Sequence, residues 1–385
     1  MKPANRCENI TPFIVMEILE KIHKMEAEGI DVIHMEIGEP DFNVPECVNK
    51  AGIDAFWGNE THYTHSLGDI RLREAICEYH KTTYNTTIDP GQVLVTSGTS
   101  PAMLLLFSAL VNPGDEIIIS DPHYACYANF INYVQGVPVK VQVTEKEGFV
   151  YTPKAIEEKI TSKTKAIFIN SPSNPTGNVI PKKRMQQIVD IAEDNNLYVI
   201  SDEIYHGLVY EGKEHSIYEF TDNAFVLNGF SKLFAMTGLR LGYLIAPQQF
   251  VRALQILQQN FFICANSVAQ LAGAAALKDA HKETKAMRET YNNRRIYVIE
   301  RLRKMGLGIT IEPTGAFYVF ANAKHISNDS YALAFDILKK AHVGVTPGID
   351  FGANGEGYLR FSYANSMENL KIGLDRMEGY LKELK

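Results

Sequence analysis

Ala224-Phe225-Val226-Leu227-Asn228-Gly229-Phe230-Ser231-Lys232-Leu233-Phe234-Ala235-Met236-Thr237-Gly238-Leu239-Arg240-Leu241-Gly242-Tyr243-Leu244-Ile245 begins and ends in apolar runs. The first run reads as a buried strand, and between the two the chain turns small and polar around one lysine. The gap leaves no room for a crossover helix, so Tyr243-Leu244-Ile245 should run antiparallel to its partner. A lysine in a dry, glycine-lined turn is an amine nucleophile in waiting, because desolvation lowers its pKa. Serine, threonine and arginine close to it suit a phosphate. On this stretch alone, a solvated lysine in a polar loop is an equally good reading.

Upstream, apolar runs of strand length alternate with amphipathic segments of helix length. The runs are Val93-Leu94-Val95, Glu116-Ile117-Ile118-Ile119, Val139-Lys140-Val141, Ala166-Ile167-Phe168-Ile169, Leu197-Tyr198-Val199-Ile200 and Phe225-Val226-Leu227. That alternation predicts an α/β fold, a mostly parallel seven-stranded sheet with helices on both faces. Polar loops follow the runs: Gly98-Thr99-Ser100, His123-Tyr124, Asn174-Pro175-Thr176-Gly177, Asp202-Glu203-Ile204-Tyr205, and the lysine stretch. Ligands of open α/β sheets bind beyond the carboxyl ends of the strands, so these loops should share one crevice. Asp202 ends a run of buried type, where a carboxylate needs a partner or must cap the next turn. Gly98-Thr99-Ser100 opens a helix, which suits either an anion or an N-cap by Ser97 or Thr99.

The ends of the chain read more plainly. Residues 1–10 form a loose arm, and Thr11-Pro12 is read as the N-cap and first turn of a helix with Ile14, Ile18, Leu19, Ile22 and Met25 on one face, stopped at Gly29. The large domain is expected over residues 45–280, and a smaller α+β domain from 31–44 with 281–385, with residues 1–30 as arm and helix. Gly315-Ala316-Phe317-Tyr318-Val319-Phe320 reads as a strand, Thr346–Gly352 as a loop, and 366–384 as an amphipathic helix. The 385 residues carry a formal net charge of −7, with no basic block that would track nucleic acid and no apolar stretch of membrane-spanning length. Five cysteines lack CxxC spacing and the eleven histidines lack a ligand pattern, which points to a reducing cytoplasm without a metal site.

Several stretches carry a resemblance in the same order along the chain. Ile37-Gly38-Glu39-Pro40-Asp41-Phe42, Tyr63-Thr64-His65-Ser66-Leu67-Gly68, Asn174-Pro175-Thr176-Gly177, Asp202 with Tyr205, Ser231-Lys232 with Arg240, Pro347–Gly352 and Arg360-Phe361-Ser362-Tyr363-Ala364 resemble the fold-type I, pyridoxal-phosphate-dependent aminotransferases of class I/II. The resemblance implies transamination between an L-amino acid (aspartate, alanine or aromatic type) and a 2-oxo acid such as 2-oxoglutarate. Lys232 would hold pyridoxal 5′-phosphate as a Schiff base and relay the α-proton. Asp202 would face the pyridine nitrogen, and Asn174 and Tyr205 the phenolic oxygen. Gly98, Thr99, Ser100, Ser231 and Arg240 would take the phosphate. Tyr124 would stack on the ring, with Tyr127 as the alternative. Gly38, Asn174 and Arg360 would meet the substrate, Arg360 through its α-carboxylate. Tyr63 would reach the neighbouring site of a homodimer. Gly229 departs from relatives that carry a serine there, which removes one phosphate donor. A C–S β-lyase would use the same residues, and a non-catalytic regulator on the same scaffold is a further rival.

Overall fold

The computed structural model describes residues 3–4, 7–8 and 10–384; half of the predicted N-terminal arm therefore lies outside the described residues. Helix α1 (Ile14–Ala27) precedes a short strand β1 (Ile33–His34) and helices α2 (Glu46–Trp57) and α3 (Ile70–Tyr84). Strand β2 (Val93–Thr96) and helix α4 (Thr99–Leu110) open the α/β region. They are followed by β3 (Glu116–Asp121), α5 (Cys126–Tyr133), β4 (Val137–Gln142), α6 (Pro153–Glu157), β5 (Thr164–Asn170), α7 (Lys182–Asp194), β6 (Tyr198–Asp202), β7 (Ala224–Gly229) and β8 (Gly242–Ile245). These seven strands form one sheet in the order β2-β8-β7-β6-β5-β3-β4. Strand β8 is antiparallel to both β7 and β2, and the other pairings are parallel. The close spacing of β7 and β8 thus has the predicted consequence. Strands β2, β7 and β8 are buried throughout, whereas β4, at the sheet edge, exposes Val137, Lys140 and Gln142 and carries Pro138, where a missing N–H costs no central ladder bond.

Apolar side chains cover both faces of this sheet. One cluster includes Ile118, Ile167, Val199, Val226 and Ile245, and another Ile117, Phe168, Ile200, Leu227 and Leu244. The alternation follows from successive strand residues pointing to opposite faces. Helices α8 (Gln248–Phe261), α9 (Ser267–Asp279) and α10 (His281–Lys304) lead to β9 (Tyr318–Asn322), α11 (Ser330–Ala341), β10 (Val343–Gly344), β11 (Thr346–Pro347), β12 (Tyr358–Ser362) and α12 (Met367–Glu383). Strands β11, β12 and β9 form an antiparallel sheet, and β1 pairs parallel with β10. A third core joins Ile18 and Ile22 of α1 to Val298, Val319, Ile337, Leu359 and Leu374, and it also takes in Ile204, Tyr205 and Leu208. Leu233, beside the lysine, packs against both this core and the cluster that holds Ile118 and Ile245.

Two boundaries differ from the sequence reading. Helix α1 begins at Ile14 and not at Thr11-Pro12; its first N–H groups, those of Ile14 and Val15, donate to the Asp350 carboxylate at 2.9 and 3.3 Å. Thr11 instead donates its backbone N–H and its hydroxyl to Asn129 Oδ1, both at 3.1 Å. A carboxylate more than three hundred residues away satisfies the orphan donors that a local hydroxyl was expected to take. Strand β9 starts three residues later than Gly315, because Ala316 sits at φ +55° and donates its N–H to Leu208 O.

Candidate active site

A cavity of about 250 Å³ opens at the carboxyl ends of the parallel strands. Its walls include Gly38, Thr99, Ser100, Tyr124, Asn174, Asp202, Tyr205, Ser231, Lys232, Arg240 and Arg360. The five polar loops that sequence placed at strand ends do converge, together with the Ile37–Phe42 loop and strand β12. Gly98 lies at the rim as N-cap of α4 with φ +98°, and its Cα faces the Arg240 guanidinium so closely that an added Cβ would lie 2.7 Å from Nη2. No side chain among the described residues caps α4 at its N-cap. Its N-terminal N–H groups are thus left for another acceptor, beside the Thr99 and Ser100 hydroxyls and one guanidinium, which is a cradle for an anion. Gly229 is closed in by Leu241 O, 3.0 Å from an ideal Cβ, and by Gly242, so a side chain there would press on this close passage of the chain.

Lys232 stands at the floor of the cavity. Its Nζ donates to Gly38 O at 2.6 Å. Burial pushes its amine down to about 8, and the Arg360 and Arg240 charges act in the same direction, while Glu39 opposes them. Asp202 is 4 % exposed. Its Oδ2 accepts the Tyr127 hydroxyl at 2.6 Å and its Oδ1 accepts the Ile204 N–H at 3.1 Å. Burial raises its carboxyl to about 6, partly offset by those two bonds. Asp202 therefore does cap the turn that follows it, yet no cation lies within ion-pairing distance of it among the described residues. A buried carboxylate so placed invites a cationic ligand.

Arg360, on strand β12, is 2 % exposed. Its Nη1 donates to Asn174 Oδ1 at 2.9 Å, and its Nη2 to Glu36 O at 2.5 Å and Thr346 Oγ1 at 3.1 Å. Its Nε is buried and has no protein partner among the described residues. An unsatisfied guanidinium N–H at a cavity wall suits an oxyanion. Because the Asn174 oxygen faces Arg360, the amide NH₂ is the end left to donate elsewhere. Tyr63 lies apart from this cavity; it is 80 % exposed and lines a separate surface depression with Glu60, Asp69 and Arg71.

Three contributors escape the sequence reading. Tyr127 enters it only as a stacking ring, yet its hydroxyl holds Asp202; its place three residues after Tyr124, on the first turn of α5, is the available signal. Tyr318 enters it only as part of a strand, but lines the cavity between Arg360 and Tyr205. Phe13, Val15, Met16 and Leu19, on and before α1, form an apolar wall that no local pattern could aim at the crevice.

The arrangement combines an amine of lowered pKa, an anion cradle, an isolated buried carboxylate and a buried arginine fork. These fit pyridoxal phosphate with an amino-acid substrate, group for group. The family model described as aminotransferase class I and II matches residues 30–377. A (5-formylfuran-3-yl)methyl phosphate transaminase of Methanocaldococcus jannaschii is 42 % identical over 99 % of this chain and 100 % of its own length. An aspartate aminotransferase of Pyrococcus horikoshii is 40 % identical over 96 % of this chain and 94 % of its own. Among solved structures, the aspartate aminotransferase of Thermus thermophilus with maleate superposes with a TM-score of 0.95 at 34 % identity, covering 98 % of this chain and 99 % of that one. The chain is an aminotransferase and belongs to the class I and II aminotransferase family.

Proposed function

We propose that this aminotransferase works with pyridoxal 5′-phosphate on Lys232 and moves an amino group between an L-amino acid and a 2-oxo acid such as 2-oxoglutarate. The observation that carries this reading is the meeting of Lys232, Asp202 and Arg360 on one small cavity from three distant parts of the chain. Bound there, the cofactor supplies a carbonyl for an amine and a sink for the electrons released at the substrate's α-carbon. Gly98, Thr99, Ser100, Ser231 and Arg240 hold the phosphate. Asp202 keeps the pyridine nitrogen protonated, and Tyr124 covers the ring. Asn174 and Tyr205 donate to the phenolic oxygen. Arg360, with Asn174 beside it, orients both substrates by their carboxylate, and Gly38 lets the backbone approach. Lys232, with an amine near neutrality, takes and returns the α-proton.

The apolar wall of Phe13, Val15, Met16, Leu19 and Ile37 supports an apolar or aromatic side chain on the donor, ahead of aspartate. Tyr63 belongs to the neighbouring site of a homodimer in this reading. Support comes from large apolar residues exposed on adjoining elements, including Phe56 and Trp57 on α2, Ile70 on α3, and Phe261 and Ile263 before α9. The cysteine pattern supports a cytoplasmic setting. In this reading residues 31–44 and 281–385 form the smaller unit, whose core also takes in Ile18 and Ile22 of α1 and Ile204, Tyr205 and Leu208.

The test is the visible spectrum of the purified protein with pyridoxal phosphate, followed by single amino acids without an oxo acid. A yellow band that bleaches with an amino acid and returns with 2-oxoglutarate is expected. Lys232→Ala should abolish both the band and turnover, and near-normal turnover in that variant refutes the assignment. Pyruvate and ammonia accumulating from a cysteine-type substrate would mean a lyase. The furan phosphate aldehyde named for the Methanocaldococcus relative belongs in the same panel as an amino acceptor.

A further inference from the structure

Tyr318 is 1 % exposed and occupies the junction between two parts of the site. On one side its ring lies against the clamp: Arg360 Cζ is 4.4 Å from the ring centroid. On the other side its hydroxyl is 2.9 Å from the Tyr205 hydroxyl, with the two rings edge to face at 5.7 Å. Its third neighbour is Gly38, whose Cα leaves just enough room for the Tyr318 hydroxyl; an added Cβ would lie 2.0 Å from it. Gly38 O in turn holds the Lys232 amine. The position is fixed from below, since Tyr318 pairs with Ser362 across β9 and β12, two residues from Arg360.

From this geometry we infer that Tyr318 is a positioning residue that couples the carboxylate clamp to the Tyr205 hydroxyl. This rests on the cofactor reading above. Between two tyrosine hydroxyls, one donates and the other accepts. If Tyr318 donates to the Tyr205 oxygen, the Tyr205 proton is left to point at the cofactor's phenolic oxygen, and a hydrogen-bonded donor is a stronger donor. The ring acts separately, because a face presented to a guanidinium in a dry site holds that plane still. The hydroxyl and the ring can therefore be separated by substitution.

In the cofactor-loaded protein, Tyr318→Phe removes only the hydroxyl. The pH midpoint at which the visible band titrates should move upward by roughly half a unit, the worth of one neutral hydrogen bond. The inhibition constant of 3-phenylpropionate, a carboxylate without an amine, should stay unchanged. Tyr318→Met, which fills space but lacks a ring face, should also weaken 3-phenylpropionate by about fivefold or more. In a Tyr205→Phe background the further change Tyr318→Phe should leave the midpoint where Tyr205→Phe alone puts it, because Tyr318 acts through Tyr205. A midpoint that stays still or falls in Tyr318→Phe overturns the hydroxyl role, as does full additivity in the double variant. An unchanged inhibition constant in Tyr318→Met overturns the ring role, and if that variant does not fold, Tyr318→Leu, equally ringless, is read by the same inhibition constant. A wild-type protein with no visible band at all overturns the cofactor reading and this inference with it; a wild-type band that titrates normally beside an unmoved Tyr318→Phe overturns this inference alone.

Discussion

Replacing Arg360 by lysine keeps the positive charge and removes the fork. In the structure the two terminal nitrogens are committed in different directions, Nη1 to Asn174 and Nη2 to Glu36 O and Thr346, while Nε faces no acceptor among the described residues. A lysine ammonium is one nitrogen at the end of a flexible stem; it can serve one of these partners but cannot span them and a substrate carboxylate as well. One charge-assisted bond of the pair is lost, about 1.5–3 kcal/mol, or about 10- to 150-fold in rate constant. The assay compares kcat/KM for phenylalanine with that for 2-phenylethylamine, which is the same donor without its carboxylate. Arg360→Lys should lower the first by that factor and leave the second nearly untouched, so the preference for the amino acid collapses. An acceptor such as the furan phosphate aldehyde, whose name contains no carboxylate, should likewise be spared. Equal losses with both donors would refute the clamp and assign Arg360 to holding Asn174 and Glu36 in place.

Three further changes test the supporting contacts. Tyr127→Phe removes a 2.6 Å donor from the Asp202 carboxylate, so the Asp202 carboxyl, already raised to about 6 by burial, should rise by a further unit or so. Since Asp202 holds the cofactor as an anion, uptake of pyridoxal phosphate by the cofactor-free protein is favoured above that pKa and lost as pH falls through it; the midpoint should shift upward, and an unmoved midpoint refutes the contact's role. Gly38→Ala drives a methyl into the Tyr318 hydroxyl, a collision with the end of a rigid ring, and should cut kcat/KM at least about tenfold by displacing reacting groups, read by steady-state kinetics against a control Gly379→Ala on α12, which meets nothing within 4 Å. Asp350→Ala removes the acceptor for the first N–H groups of α1 and should lower stability by about 0.5–2 kcal/mol in denaturant titration, with KM for an aromatic donor rising because α1 carries part of the cavity wall.

Most of the fold was legible because buried parallel strands announce themselves as continuous apolar runs, and because their polar loops must lie at one end of the sheet. Val226 and Leu227 of β7, Leu244 of β8 and the Asn174, Asp202 and Lys232 loops all stand where that reasoning put them. What was not legible depends on contacts between distant segments. No spacing near Thr11 reveals that Asp350 will cap α1, and no local pattern separates Tyr318, which enters the cavity, from Phe317 and Val319 beside it. The strand alternation gives each residue a face, but which face meets a cleft is set by how the β9–β12 sheet docks over Tyr205. The polar status of Arg360 was legible and its burial was not, since an arginine on a strand is exposed unless a partner from elsewhere covers it.

The same burial acts in opposite senses on the two groups that matter most. It raises the Asp202 carboxyl and lowers the Lys232 amine, to about 6 and about 8. A dry crevice thus brings an acid and a base toward each other across neutrality without either touching the other through an ion pair. Direct pairing would have undone this: a salt bridge would push the carboxyl down and the amine up, leaving a lysine too basic to release its proton near neutral pH. The chain keeps them apart by giving each a neutral partner, the Tyr127 hydroxyl for Asp202 and the Gly38 carbonyl for Lys232. Gly38 comes from the N-terminal part of the chain and is pressed against Tyr318 from the C-terminal part. The separation on which the lysine's reactivity depends is therefore held by the packing of both ends of the chain over the sheet, and not by the sheet alone.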